Sequence, residues 1–223
     1  VSVCNWLSGA VSFVGRGPGL APEVRIRGAD LDFRRARFGQ GAGAGGEVPL
    51  DVGLDRLVLS DTITLTDLRA DISAGNALTG AFRARVNGGA EIEGVLTPST
   101  HGPAVALRAQ DGGGVVRDAG IFREISEGAL ELRLVPQGPR GVYNGLLTLS
   151  SVRVSDAPSV VELLSAVSIV GLLEQADGRG LAFDEVTASF QLRPEAVIVA
   201  ESSAVGASLG ISLDGIFSIP NRA

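Results

Sequence analysis

The sequence predicts a mainly β chain of antiparallel strands with one long helix, and three observations carry the prediction. Apolar and polar residues alternate in short runs along most of the length. Gly, Asn, Asp or Pro interrupts these runs at about the 8–12 residue spacing of antiparallel sheets. One stretch, from about Ala157 to Gln175, abandons alternation for a face that is apolar almost all round.

The first alternating run is Val24 to Phe33 (VRIRGADLDF), a strand with one buried face. Gly39 to Gly46 (GQGAGAGG) cannot hold a regular element and reads as a flexible loop between strands. Alternation returns at Leu57 to Leu59, Ile63 to Leu65, Phe82 to Val86, Ile92 to Leu96, Val105 to Leu107 and Leu130 to Leu134. Asn87, Gly88 and Gly89 separate two of these runs, and Asn and Gly tolerate the positive φ that a tight hairpin needs. A second, short helix is expected at about Val115 to Arg123, following Gly112 to Gly114.

The long helix has signals at both ends: Asp156 to cap it, Pro158 in the first turn, and Gly178 just past the end. Its apolar girth, including Val160, Leu163, Leu164, Ile169 and Leu172, implies deep burial or contact with lipid. It is too short to cross a bilayer, since Glu162 and Glu174 bound the apolar run and a span needs about 20 apolar residues. Near the C-terminus every second residue from Leu209 through Ile211, Leu213, Gly215 and Phe217 to Ile219 is apolar or Gly, with Ile216 the exception on the wet face. Such a strand needs a cover: a second sheet, a helix or a ligand. An echo links the two halves, for Leu54 to Leu57 (LDRL) and Leu78 to Phe82 (LTGAF) recur as Phe183 to Val186 (FDEV) and Leu213 to Phe217 (LDGIF).

Composition narrows the function. The 223 residues carry 19 basic and 25 acidic side chains, a net charge of -6, which disfavours nucleic acid as a partner because the attracting field is missing. All the basic residues are Arg, most simply a coding bias, and Arg suits phosphate or carboxylate recognition. A hydrophobic share of 45% belongs to a globular chain. No Met is present, so Val1 is not expected to be a translation start and the chain reads as one segment, 1–223, of a longer protein. Its sub-units are read as 1–110, 111–178 and 179–223.

The residues of catalysis are sparse. One Cys (Cys4) and one His (His101) leave no intrachain disulfide and no Cys/His zinc site. His101 sits in a hairpin loop with no nucleophile elbow near it, and Cys4 has no local base. Gly112 to Gly114 ahead of a helix could present bare N–H groups to an anion, yet no Gly-Lys-Ser/Thr follows, and a structural turn is the stronger reading. Carboxylates lie singly in turns (Asp55, Asp61, Asp67, Asp71, Asp111) or on wet faces (Glu91, Glu93, Glu131). The chain is therefore expected to be no enzyme, with neither metal nor cofactor.

Three stretches resemble a known family. Arg153 to Leu173 (RVSDAPSVVELLSAVSIVGLL), Gly180 to Val186 (GLAFDEV) and Ala204 to Gly215 (AVGASLGISLDG) look like the C-terminal region of AsmA-like proteins of the YhdP type, and Gly43 to Asp71 and Asp118 to Ile121 fit the same pattern. The resemblance is most specific from Arg153 onwards and loose over Val1 to Gln40. It implies a bridge-like lipid transfer protein: an elongated, curved sheet folded into a hydrophobic groove, a β-taco, that shields phospholipid acyl chains between inner and outer membrane. It also implies a periplasmic location in a Gram-negative bacterium, with the parent chain anchored in the inner membrane by parts outside this segment.

On that reading the period-2 pattern selects the groove residues: Phe82, Ala84, Val86, Ile92, Leu96, Leu130, Leu132, Leu134, Leu147, Leu149, Phe190, Leu192, Leu209, Ile211, Leu213 and Phe217. The same residues would be the core of a closed β scaffold or interaction module without ligand, which is the rival reading.

Overall fold

The computed structural model describes residues 2–4, 6–35, 47–75, 77–138, 141–155, 180–194, 196–207 and 210–218. The long helix read over Ala157 to Gln175 and the Gly39 to Gly46 loop lie outside the described residues. What is described is mainly β, as the alternation predicts, with fourteen strands and one short helix. The chain divides into two compact units, Val1–Val105 and Ala106–Ala223.

The first unit holds β1 (Ser2–Cys4), β2 (Leu7–Val14), β3 (Glu23–Asp32), β4 (Val48–Val58), β5 (Thr64–Ala74), β6 (Leu78–Val86) and β7 (Glu91–Ser99). Consecutive strands pair in that order, and β8 (Gly102–Ala109) contains the division between the units. Every described ladder is antiparallel except one: β3 and β4 run parallel, Val24 opposite Leu50 and Ile26 opposite Val52. Parallel pairing requires a long connection, and the chain between Asp32 and Val48 supplies one. The β6–β7 turn is the hairpin that the sequence announces, with φ of 49° at Asn87 and 81° at Gly88.

Register sorts this unit into two faces. Leu50, Val52 and Leu54 of β4 stand opposite Ile72, Ala70 and Leu68 of β5. Ala70 and Ile72 stand opposite Phe82 and Gly80 of β6, and these opposite Gly94 and Leu96 of β7. The other face carries Arg25, Asp51, Arg69, Asp71, Arg83, Arg85, Glu91 and Glu93.

The second unit holds α1 (Gly112–Asp118), β9 (Ile125–Ser126), β10 (Ala129–Pro136), β11 (Tyr143–Val154), β12 (Leu181–Leu192), β13 (Ala196–Val205) and β14 (Gly210–Ser218). Here β10 to β14 pair in chain order and β9 adds to β11. Leu130, Leu132 and Leu134 face Leu149, Leu147 and Gly145; these in turn face Val186, Ala188 and Phe190 of β12. Glu131, Arg133, Thr148, Thr187 and Ser203 fill the opposite face.

The helix differs from the expectation of Val115 to Arg123: it begins at Gly112 and ends at Asp118. Gly is a poor helix former, so the sequence hides the start. Close packing explains it. A Cβ on Gly113 would lie 2.4 Å from the carbonyl carbon of Ser126, and one on Gly112 would lie 2.7 Å from that of Ala129, so only glycine lets the first turn meet β9 and β10. Asp111 caps the turn, its Oδ1 accepting from the Gly114 N–H at 2.8 Å.

The echo between the halves is a repeated kink. Leu54 pairs with Leu68 and Leu57 with Leu65, while Phe183 pairs with Val152 and Val186 with Leu149. In each case two polar residues sit between two apolar ones, and a non-glycine residue on the partner strand has positive φ: Asp67 at 51° and Ser151 at 57°. Such irregularities bend a strand and increase its local twist, which curls the apolar face.

Candidate functional site

The site that the fold offers is the apolar sheet face of each unit. Of the residues picked out by alternation, Phe82, Ala84, Val86, Ile92 and Leu96 stand together on the face of the first unit. Leu130, Leu132, Leu134, Leu147, Leu149, Phe190, Leu192, Ile211, Leu213 and Phe217 occupy register positions on the corresponding face of the second. Leu209 lies outside the described residues.

Burial is graded along each face. In the first unit Leu54, Leu65, Leu68, Ala84, Val86 and Ile92 are buried, and Leu50, Ile72, Phe82 and Leu96 are half-buried. In the second, α1 and β9 pack over one end, where Leu130 and Leu149 are each 3% exposed and Val152 is 1%. Away from α1, Leu132, Leu134, Leu147, Phe190 and Leu192 are half-buried and Leu213 is 57% exposed. Each face is thus a closed core at one end and an accessible apolar surface farther along.

Two residues on these faces carry a packing device that alternation does not reveal. The Phe82 ring lies over Gly94, where a Cβ would come within 2.3 Å of Cζ, and the Phe190 ring lies over Gly145, within 2.2 Å. Both are register partners across a strand pair. A ring laid on a glycine keeps the floor smooth and covers backbone that water would otherwise reach. The signal is an aromatic opposite a glycine, readable only once the register is known.

Charged side chains stay off these faces, and the described polar positions on the second are Tyr143, opposite Leu192, and Ser202, whose hydroxyl donates to the Leu213 carbonyl at 2.6 Å. Among the described residues no charged or polar residue is buried. On the wet face Arg25 binds Glu23, Arg27 binds Asp51 and Arg34 binds Asp32. The Arg27 guanidinium holds the Asp51 carboxyl below its usual range, Arg25 does the same to Glu23, and Arg34 to Asp32, in each case chiefly through the side-chain hydrogen bond. All three pairs are solvent-exposed, so their net contributions are small.

The residues considered for catalysis are not assembled. His101 lies exposed in the turn between β7 and β8, and Cys4 is on β1 opposite Leu7. The glycine triplet has no free N–H for an anion: Gly112 donates to the Gly128 carbonyl at 2.6 Å, Gly113 to that of Glu127 at 2.8 Å, and Gly114 to Asp111. Among the described residues no group of three His, Cys, Asp or Glu could hold a metal. None of their helices is long and apolar enough to cross a membrane.

Compared with protein-family models, with curated proteins and with solved structures, the chain finds no match.

Proposed function

We propose that this chain is a non-catalytic segment of a lipid-transport protein, of the AsmA-like kind that its sequence resembles, and that its apolar sheet faces shield acyl chains from water. The observation that carries the reading is the graded face of each unit: apolar residues from paired strands, closed at one end and accessible beyond it. Leu132, Leu134, Leu147 and Leu192 offer aliphatic surface on β10 to β12, and beyond them Ser202 stands between Ala188 and the exposed Leu213. A diacyl lipid laid there gains about 0.8 kcal/mol for each CH₂ kept from water, and its head group stays at the wet rim. On this reading the parent chain works in the periplasm of a Gram-negative bacterium, anchored in the inner membrane, and serves outer-membrane maintenance.

A second reading, a closed β scaffold without ligand, draws support from the near-complete burial of Leu54, Leu65, Val86, Leu130 and Leu149. One experiment separates the two. The segment is expressed in bacteria, purified without detergent, and its organic extract is quantified by mass spectrometry against protein. Near-stoichiometric phospholipid, lost in a folded Leu132→Gln variant, is the expected result. A well-folded protein that carries no lipid and takes up none from vesicles overturns the reading in favour of the scaffold.

A further inference from the structure

The wet face of β4, β5 and β6 carries an arrangement that the acyl-chain reading does not use and whose chemistry is independent of that reading. In this acidic chain four arginines gather on two adjacent rungs. On one rung Gly53, Arg69 and Arg83 stand side by side; on the next stand Arg56, Thr66 and Arg85. Arg69 and Arg83 are direct cross-strand partners, and like charges so placed repel. Among the described residues Arg85 alone of the four forms an ion pair, with Glu91. Arg56, Arg69 and Arg83 have no carboxylate within ion-pair distance among the described residues, although Asp30 is the register partner of Arg56 and Glu93 that of Arg83.

Local geometry keeps the cluster open and partly ordered. Gly53 leaves a gap in the first rung, and two arginines converge over it: a Cβ there would lie 3.4 Å from Arg27 Cδ and 3.5 Å from Arg69 Nη1. Arg69 Nη1 donates to the Leu68 carbonyl at 2.9 Å, which fixes the guanidinium while leaving its Nε and Nη2 donors. Thr66, between Arg56 and Arg85, has a buried hydroxyl with no partner. Guanidinium forks held a strand apart, with donors not taken up by ion pairs at Arg69 and Arg83, match a tetrahedral oxyanion whose several oxygens accept from more than one fork.

We infer that Arg69 and Arg83, flanked by Arg27 and Arg56, form a binding site for a phosphate-class oxyanion, either free phosphate or the phosphomonoester head group of a lipid. The test uses the full chain in low-salt chloride buffer. Inorganic phosphate is titrated calorimetrically, and co-sedimentation compares vesicles of phosphatidylcholine with vesicles containing phosphatidic acid. Saturable phosphate binding identifies the free anion as a ligand, and selective sedimentation with phosphatidic acid identifies the head group; either supports the site. Arg69→Gln and Arg83→Gln are each expected to weaken the observed binding about tenfold. Arg108→Gln, whose parent residue pairs with Glu131, is expected to leave it unchanged.

Melting supplies a readout that does not depend on the variants binding. Without phosphate, Arg83→Gln is expected to melt above the wild type because it removes the Arg69–Arg83 repulsion; phosphate, at ionic strength matched with chloride, raises the wild type more than the variant. Absence of both phosphate and phosphatidic-acid binding in the wild type overturns the inference, as does binding that Arg69→Gln and Arg83→Gln leave intact.

Discussion

Replacing Gly113 by Ala sets two local rules against each other. In an exposed helix the change should stabilise by about 1 kcal/mol, because Ala is the better helix former. Gly113 is instead buried in the first turn of α1, and its new Cβ would meet only backbone, 2.4 Å from the Ser126 carbonyl carbon, 2.5 Å from its Cα and 2.7 Å from the Glu127 oxygen. Normal carbon contacts begin near ~3.5 Å, so the turn between β9 and β10 must retreat by about 1 Å. That movement strains the hydrogen bonds from Gly112 to Gly128 and from Gly113 to Glu127, each worth about 1 kcal/mol. Overpacking of this kind costs ~1–3 kcal/mol, so after the propensity gain the net loss should be about 2–4 kcal/mol. Urea unfolding of Gly113→Ala beside Gly15→Ala, where nothing lies within 4 Å of the added carbon, provides the assay. Hydrogen exchange at the Gly112 and Gly113 amides should accelerate in the first variant alone. A Gly113→Ala protein as stable as the wild type would refute the close-packed account of the glycine triplet.

Three further outcomes are expected from the graded faces and the wet-face ion pairs. Leu149→Ala, at a position 3% exposed, should cost ~2–5 kcal/mol, whereas Leu213→Ala, at 57%, should cost less than about 1 kcal/mol in lipid-free protein; equal losses would contradict the distinction between closed and open ends. Gly145→Val should destabilise through the Phe190 ring, and a double-mutant cycle with Phe190→Ala should return a coupling above ~0.5 kcal/mol, while additivity would deny that the ring rests on the glycine. Glu23, Asp32 and Asp51 have folded-state values held below their unfolded ones, so their stabilisation is fully present above the unfolded values and is lost as pH falls through the folded ones. Unfolding followed from neutral to strongly acid pH should therefore show stability declining below the usual carboxylate range, with a shallower decline in Asp51→Asn; a steeper one would reverse the assigned sign.

Alternation is legible because a pleat has period two, and Phe82, Ala84, Ile92, Leu132, Leu147 and Phe190, which it selects, stand on apolar faces. The Asn87 turn is legible for an equally local reason: its positive φ favours Asn or Gly. Strand direction is not, since the same pattern runs parallel or antiparallel, and the β3–β4 pair is parallel. Nor is β13, whose Val197, Ile198 and Val199 form a continuous apolar run: Ile198 faces the wet side opposite Ile216, which is 71% exposed. The start of α1 is hidden by three glycines whose value is tertiary, the space they leave to β9 and β10. The arginine cluster escapes a linear reading because Arg56, Arg69, Arg83 and Arg85 are scattered in sequence and meet only through register.

The central claim is that acyl chains contact one sheet face and not the other. Photocrosslinking tests it at single-residue resolution. A photoreactive phenylalanine analogue is placed, one site at a time, at Leu134 and Leu213 on the apolar face and at Arg133 and Thr187 on the wet face, in bacteria labelled with radioactive phosphate. The account predicts labelled phospholipid adducts at Leu134 and Leu213 and none at Arg133 or Thr187. Adducts at neither face, or equally at both, in protein that is folded would contradict it.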